Sequence, residues 1–478
     1  MRRELWIDGQ WRKGQAYTEL KSPYSGRPIA EVAQAGERET EEAIAAAERA
    51  FGAMAAMPAH ERTAILDRVA RSIEERGEEL ARLLALEAAK PLKTARAEIA
   101  RTAQTYKFAA MEASRIHGET VPMDAAPGGE GRIAYTVRKP LGVVGAITPF
   151  NFPFNLVAHK VGPAIAAGNT IVLKPAGQTP LAALAIAELF AEAGLPAGAL
   201  NVVPGAGAVV GEAIVRDPRV KALSFTGSPE VGIAMRNKAG LKRVTLELGS
   251  NSALLIDGTV ELTDSLVARC VAGAYSFSGQ VCISIQRMYV HESKYEAFVE
   301  RFAQEAARLV IGDPEREETD FSALIHAKEV ARMKEWTESA VRRGARVALG
   351  GEALSETIFA PTVLTNVPED EPVSCREVFG PIVCMEPFAS LDDAIAQVNR
   401  SRYGLQAGLY TNDLNAAMRA ADKLEVGGVM INDFPTFRVD QMPYGGVKES
   451  GIGREGVRYA VEEMTELKLV SIRLRHGG

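Results

Sequence analysis

Cys282 stands in Phe277-Ser278-Gly279-Gln280-Val281-Cys282-Ile283-Ser284, where a Gly-Gln turn and small neighbours leave the sulfur open to an incoming carbonyl. As a thiolate it is a strong soft nucleophile. The same segment also fits a buried apolar cysteine. The other cysteines, Cys270, Cys375 and Cys384, lie in plain apolar or charged surroundings and carry no such signal. Glu247 interrupts the apolar run 244–248 just before Gly249-Ser250-Asn251. A carboxylate placed there is partly buried, which raises its pKa towards the range of a general base. Capping the turn is the other task open to it. Asn151 lies in Thr148-Pro149-Phe150-Asn151-Phe152-Pro153, held between two prolines. A rigid amide donor is what an oxyanion hole requires, and an ordinary turn asparagine fits the segment as well.

Two glycine turns could face a phosphate. Residues 204–211 read GxGxxxG, which is not the dinucleotide fingerprint GxGxxG and is explained equally by a loop. Ser224-Phe225-Thr226-Gly227-Ser228-Pro229 is stronger: a strand feeds a Thr-Gly-Ser turn, with Pro at the first helical position. A helix N-terminus so placed could face a pyrophosphate, although any strand-to-helix turn has the same form.

The elements that must position these residues follow from periodicity. The windows 41–57, 61–90 and 94–116 are rich in Ala, Leu, Glu and Arg with apolar residues three and four apart, which predicts helices. Thr40 before Glu41 and Glu42 reads as a helix start. Gly77 leaves one long helix or two abutting ones open. From 132 the period changes. Strands are expected at 133–139, 143–147, 170–173, 200–203 and 222–225, with helical windows at 181–193 and 208–215. After 250 the rhythm repeats, with strands at 254–256, 288–290, 383–385 and 429–431 and helices at 293–310, 326–343 and 391–399. Such β–α alternation predicts an α/β fold with doubly wound parallel sheets. Two α/β units meeting near Gly249 are expected. The alternating tail 465–475 is a natural pairing edge for another subunit.

Composition narrows the class. The chain has 478 residues, 47% apolar and 24% charged, with 55 Lys and Arg against 61 Asp and Glu. A formal charge of −6 argues against a broad phosphate-binding face, so nucleic acid is a poor partner. No cysteine pair has CxxC spacing, so neither a zinc site nor a disulfide framework is expected. The basic N-terminus lacks the apolar core of a signal peptide, and no apolar run approaches the ~20 residues that cross a bilayer. A cytoplasmic enzyme is the expectation.

Taken together the motifs resemble the aldehyde dehydrogenase superfamily: TPFNFP (148–153), GNTIVLKPA (168–176), SFTGS (224–228), LELG (246–249), FSGQVC (277–282), EVFGPI (377–382) and PYGGVKESGIGREG (443–456), in the family's order along nearly the whole chain. The resemblance implies a Rossmann-like NAD(P)-binding domain (1–121 and 141–249), an α/β catalytic domain (250–447) and a strand-built oligomerisation arm (122–140 and 462–478) in a homodimer or homotetramer. It implies oxidation of an aldehyde to a carboxylate with NAD(P)+ and water, through a thiohemiacetal and a thioester on Cys282. Asn151 and the backbone N–H of Cys282 would hold the oxyanion. Glu247 would activate water and could also deprotonate Cys282, with Lys160 at the position of a relay lysine. No metal is implied. The cofactor would lie against Thr148, Phe150, Lys174, Gly177, Thr226, Gly227, Ser228, Glu377 and Phe379.

The chain departs from the family's common pattern in places. NAD-dependent members often carry Glu three residues after the lysine matched by Lys174, where it binds the ribose 2′-OH and repels a 2′-phosphate. Here that position is Gly177, so NADP is expected to be accepted. Ser250 replaces the second Gly of ELGG, Ser284 replaces a small residue after the nucleophile, and Arg376 stands where Glu often precedes Glu377. The segment after Asn151 should line the aldehyde tunnel, where Asn155 and His159 are polar, and Arg438 lies in the loop that resembles a substrate anchor. Polar groups left unpaired reject an apolar ligand. A short hydroxylated or anionic aldehyde is therefore expected: lactaldehyde, glyceraldehyde or its 3-phosphate, or succinic semialdehyde. Structural hydrogen bonds are the other role for His159 and Arg438. The nearest rival is a CoA-acylating semialdehyde dehydrogenase, which lacks the carboxylate at Glu247. A cysteine hydrolase would need a histidine in a convincing motif, and a non-catalytic relative would have lost Cys282, Glu247 or Asn151.

Overall fold

A computed structural model describes residues 1–474. Two α/β sheets carry the architecture. The first has eight strands in the order Gly451–Ile452, Arg243–Glu247, Val220–Thr226, Val143–Ile147, Thr170–Lys174, Leu200–Val202, Leu5–Ile7 and Gln10–Arg12. The five from Arg243–Glu247 to Leu200–Val202 are parallel, and the central Val143–Ile147 and Thr170–Lys174 are buried almost throughout, so their sequences are nearly continuous apolar runs. The second has seven strands, six of them parallel, with Ala253–Ile256 between Arg287–His291 and Gln406–Tyr410. Both faces of a parallel sheet must be covered, and the helices between the strands do this. Tyr106 of helix Leu92–Ala113 and Phe190 of helix Pro180–Glu192 meet edge to face at 5.4 Å in the core of the first unit.

The tail strand Thr465–Arg473 pairs along its whole length with Arg132–Pro140, and Thr120–Val121 closes a three-stranded sheet. Ile133, Tyr135 and Ile472 are exposed on one face of this sheet, and Leu467 and Leu469 on the other. Residues 475–478 of the expected arm lie outside the described residues. No helix of the described chain is long and apolar enough to cross a membrane.

The expected strand 143–147 and helix 391–399 match their elements at both ends. Elsewhere the structure corrects the expectation. The first long helix is Glu37–Ala56: the Glu39 carboxylate accepts the Gly36 N–H at 2.8 Å, while the Thr40 hydroxyl bonds back to the Gly36 carbonyl from inside the first turn. The window 61–90 holds two abutting helices, Ala59–Glu75 and Gly77–Ala88, broken at Arg76. The window 208–215 winds as a π-turn, Gly207–Gly211, before a five-residue α-helix. Five N-terminal strands between Arg2 and Gln34 have no counterpart in the sequence reading, because they are short, charged and largely exposed.

Candidate active site

The segment before Cys282 follows helix Asp264–Tyr275 and runs through three consecutive left-handed residues, Phe277 (φ 48°), Ser278 (φ 56°) and Gly279 (φ 73°). The two non-glycine residues cost on the order of 1 kcal/mol each, so the surroundings must enforce the turn. Ser278 Oγ donates to the Ser322 carbonyl at 2.8 Å, and the Ile325 N–H donates to Gln280 Oε1 at 2.9 Å. Gly279 packs so closely on the Gly380 carbonyl that no side chain fits, which is why FSGQVC and EVFGPI occur together. Ser284 donates to the Ala274 carbonyl at 2.8 Å, giving that departure a structural use. Cys282 emerges partly exposed, with Sγ 2.9 Å from the Tyr444 hydroxyl. Burial pushes its thiol up to about 11, against the Tyr444 hydrogen bond and the Arg438 charge.

Asn151 is tied to the same segment. Its Nδ2 donates to the Gln280 carbonyl at 3.0 Å, which leaves its second N–H for another acceptor. Its own carbonyl accepts from Lys90 Nζ at 2.7 Å. Lys90 is fully buried, paired with Glu98, and lies 3.9 Å from the Phe152 ring centroid and 4.4 Å from that of Phe277. Glu98 Oε1 accepts the N–H groups of Phe154 and Asn155. One buried ion pair therefore fixes the Asn151 loop against the Cys282 loop.

Glu247 ends its strand opposite Thr226 on one side and Gly451 on the other. It is buried, and neither carboxylate oxygen has a partner. Gly445 (φ 155°) lies beside it, and a Cβ there would come within 2.9 Å of Oε1. The Tyr444-Gly445 step thus touches Cys282 with one residue and Glu247 with the next. Burial, and then the charge of Glu455, push the Glu247 carboxyl well above the usual range. Lys160 Nζ donates to Thr226 Oγ1 at 2.8 Å, Glu455 Oε1 at 3.0 Å and Ser224 Oγ at 3.1 Å. Burial opposes ionisation of Glu455, but Lys160 and Arg438 outweigh it and hold that carboxyl down to about 2. The two neighbouring carboxyls are thus pushed in opposite directions, Glu247 up and Glu455 down.

A cavity of about 180 Å³ opens onto Cys282 and is lined among others by Arg101, Asn155, Arg438 and Tyr444. The Arg438 guanidinium stacks 3.7 Å from the Tyr444 ring centroid and donates to Glu455 Oε2 at 3.0 Å, and its buried Nε has no partner. Arg101 makes a two-pronged bond to Asp440, 2.7 Å from Nη2 to Oδ1 and 3.3 Å from Nε to Oδ2. Arg101 and Arg438 thus bring two guanidinium groups to the lining, and the lining carboxylate Glu98 is already paired with Lys90. Asn155 borders the cavity, yet its amide is engaged inside the protein, donating to Asp440 and accepting from Thr105. His159 does not reach the cavity at all: it is buried behind the wall, bonded to Asp440. The sequence reading missed Arg101, Tyr444, Asp440 and Glu455 as neighbours of the site, and Lys90 and Glu98 behind it.

The expected cofactor residues gather at the carboxyl ends of the parallel strands, where Ile147 pairs Lys174 and Thr226 pairs Glu247. Burial lowers Lys174 to about 8. Its Nζ donates to the Pro175 carbonyl and keeps further N–H donors free for ribose or phosphate oxygens. Gly177 is exposed, with no atom within 4 Å of where a Cβ would sit. The Thr148 N–H donates to the Lys174 carbonyl at 3.2 Å. Phe150 and Phe379 (φ 49°) meet edge to face at 5.7 Å. Gly227 donates its N–H to the Glu247 carbonyl at 3.0 Å, and Ser228 caps helix Pro229–Lys238. Glu377, pushed up to about 7 by burial, accepts the Ser250 N–H at 2.9 Å. Nothing in the structure explains Arg376. Cys282, Asn155 and Arg438 border one cavity, and His159 lies outside it.

The model of the aldehyde dehydrogenase family matches residues 11–470. A 3-sulfolactaldehyde dehydrogenase of Priestia aryabhattai is 46% identical over 98% of both chains. Among solved structures, aldehyde dehydrogenase 21 of Physcomitrella patens, in complex with the reaction product succinate, has a TM-score of 0.96 and 38% identity, covering 99% of this chain and 98% of its own. Glyceraldehyde-3-phosphate dehydrogenase GapN of Methanocaldococcus jannaschii, complexed with NADP, has a TM-score of 0.92 and 39% identity, covering 95% and 99%. Seven motifs in order, two largely parallel sheets, a partly exposed cysteine at the end of a cavity, and likeness along the whole chain lead to one conclusion: this chain belongs to the aldehyde dehydrogenase family and is an NAD(P)-dependent oxidoreductase of aldehydes.

Proposed function

We propose that this enzyme oxidises a short anionic aldehyde to the acid by hydrolytic thioester chemistry. The observation that carries the reading is the pairing of Arg101 and Arg438 on the wall of the cavity that ends at Cys282. Two guanidinium groups bordering a space of about 180 Å³ suit a chain of few carbons ending in carboxylate, phosphate or sulfonate. The three relatives named above are described with sulfolactaldehyde, succinate and glyceraldehyde 3-phosphate, each carrying such a group.

The Cys282 thiolate attacks the aldehyde carbon, and the carbonyl π pair moves onto oxygen. Asn151 Nδ2–H and the Cys282 backbone N–H hold that oxyanion. A bound NAD(P)+ would supply the oxidant by taking the hydride from the former aldehyde carbon, leaving the acyl group as a thioester on Cys282. Glu247 then takes a proton from water as the water attacks the thioester, expelling the Cys282 thiolate and leaving the carboxylate product. Lys160 and Glu455 lie next to Glu247 and carry its proton onward. Lys174, Thr226, Gly227 and Ser228 hold the adenosine and phosphate portion of the cofactor, and Glu377, Phe379, Thr148 and Phe150 flank its nicotinamide end. No carboxylate stands near Gly177 to repel a 2′-phosphate, so NADP is accepted. The tail sheet, with Ile133, Tyr135 and Ile472 exposed on one face, pairs with a second copy.

The test is the initial rate of NAD+ and NADP+ reduction with glyceraldehyde 3-phosphate, succinic semialdehyde, 3-sulfolactaldehyde, lactaldehyde and hexanal, with Cys282→Ala beside the wild type. Turnover that favours the anions and vanishes in the variant supports the reading. A preference for hexanal defeats the substrate assignment, and a strict need for CoA transfers the reaction to the acylating class.

A further inference from the structure

We propose that the Tyr444 hydroxyl is a catalytic group of this enzyme, donating a hydrogen bond to Cys282 Sγ as the thiolate forms and holding that sulfur at the floor of the substrate cavity. The inference rests on Cys282 being the nucleophile. Tyr444 stands in the segment 443–456, where sequence alone marks only the glycines. In the structure its ring is buried and its oxygen lies 2.9 Å from Sγ, inside hydrogen-bond reach for sulfur.

Three features make the contact more than packing. The hydroxyl is held by its own backbone, because Gly445 at φ 155° admits no side chain and pins the step against Glu247. The ring carries the Arg438 guanidinium on its face at 3.7 Å, a contact that holds the ring bearing the hydroxyl in place. Tyr444 is also kept protonated by burial, and therefore remains a donor when the sulfur is charged.

A thiol this enclosed resists ionising, and the groups facing it divide in sign. Tyr444 and Arg438 favour the thiolate, whereas Glu377 and Glu247 oppose it. Glu247 is neutral while it keeps its proton, so the Tyr444 bond is the closest influence left to stabilise the charge. On attack the electron pair leaves sulfur for carbon, the Tyr444 bond weakens, and charge passes to the oxyanion held by Asn151. When water expels the thiolate from the thioester, Tyr444 receives it again.

The experiment is the pH dependence of iodoacetamide alkylation at the Cys282 peptide, read by mass spectrometry so that partly exposed Cys375 does not contribute. In Tyr444→Phe the alkylation midpoint should rise by about one pH unit, as expected for loss of one hydrogen bond to a charged acceptor. The acid limb of kcat/KM should move with it. An unchanged midpoint, or a loss of rate equal at every pH, overturns the proposal. Site-specific 3-fluorotyrosine at position 444 keeps the shape and strengthens the donor, so the midpoint should fall; no movement there overturns it as well. The two readings fail separately. Turnover surviving in Cys282→Ala defeats the nucleophile assignment, whereas unmoved alkylation defeats Tyr444 alone.

Discussion

His159 Nε2 lies 2.9 Å from Asp440 Oδ1, and this contact faces away from the substrate cavity. Asp440 accepts from Arg101 and Asn155 as well, so it is the knot that holds one wall of the cavity to helix Asn155–Ala167. Burial keeps His159 below its ordinary pKa, hence neutral. His159→Gln should therefore change kcat/KM by less than about threefold for any aldehyde while costing roughly 1 kcal/mol of stability. The pH sign follows from the lowered pKa: stability is complete above about 6.5 and is lost as pH falls, because the unfolded chain binds a proton that the folded one refuses. Thermal melts from pH 7 to pH 5 should fall less steeply in the variant. A large kinetic effect with an unchanged melting profile would return His159 to the substrate wall.

Arg101 can be removed with less damage than Arg438, because it is partly exposed while Arg438 is buried beside Glu455. Arg101→Ala should lower kcat/KM for glyceraldehyde 3-phosphate by about 10- to 100-fold, the range of a lost charged hydrogen bond. Lactaldehyde, which has no anionic tail, should lose only a few-fold. Equal losses on both substrates would mean that Arg101 shapes the cavity without reading charge.

Gly177 offers a direct control of nucleotide choice. A glutamate there meets no atom within 4 Å of its Cβ, so Gly177→Glu should fold normally. Its carboxylate, placed beside a 2′-phosphate, costs about 1–3 kcal/mol, or roughly 10- to 100-fold in the NADP/NAD ratio of kcat/KM. An unchanged ratio sinks the assignment.

The parallel sheets and the three catalytic candidates were legible because continuous apolar strands and turn-bounded polar residues are local signals. Cys282, Glu247 and Asn151 stand out locally as a cysteine after a Gly-Gln turn, a carboxylate in an apolar strand and an amide between prolines. Each also fits a structural role, and the roles proposed for them come from the family's motifs. Arg101, Lys90 and Glu98 do not stand out. They sit in helical windows where a charged residue normally faces water, and only the packing of helix Leu92–Ala113 on the Asn151 loop turns them inward. Tyr444 was hidden differently, inside a motif whose glycines drew attention from its hydroxyl. His159 was misplaced because its position one turn beyond Asn155 says which side of a helix it occupies, not which neighbour covers that side.

Glu247 carries the last prediction. Its carboxyl is raised by burial and by Glu455, so it gains base strength only as pH rises and the proton leaves. Hydrolysis of the thioester should therefore climb with pH across and above the neutral range. Glu247→Gln is close to isosteric at a site where neither oxygen has a partner, so the fold should survive. The variant should release a burst of about one NAD(P)H per subunit and then turn over about 10²- to 10⁴-fold more slowly. Rapid mixing at 340 nm separates the two phases. Steady-state turnover within threefold of the wild type would remove Glu247 from water activation. Loss of the burst itself would place Glu247 before hydride transfer, as the group that takes the proton from Cys282.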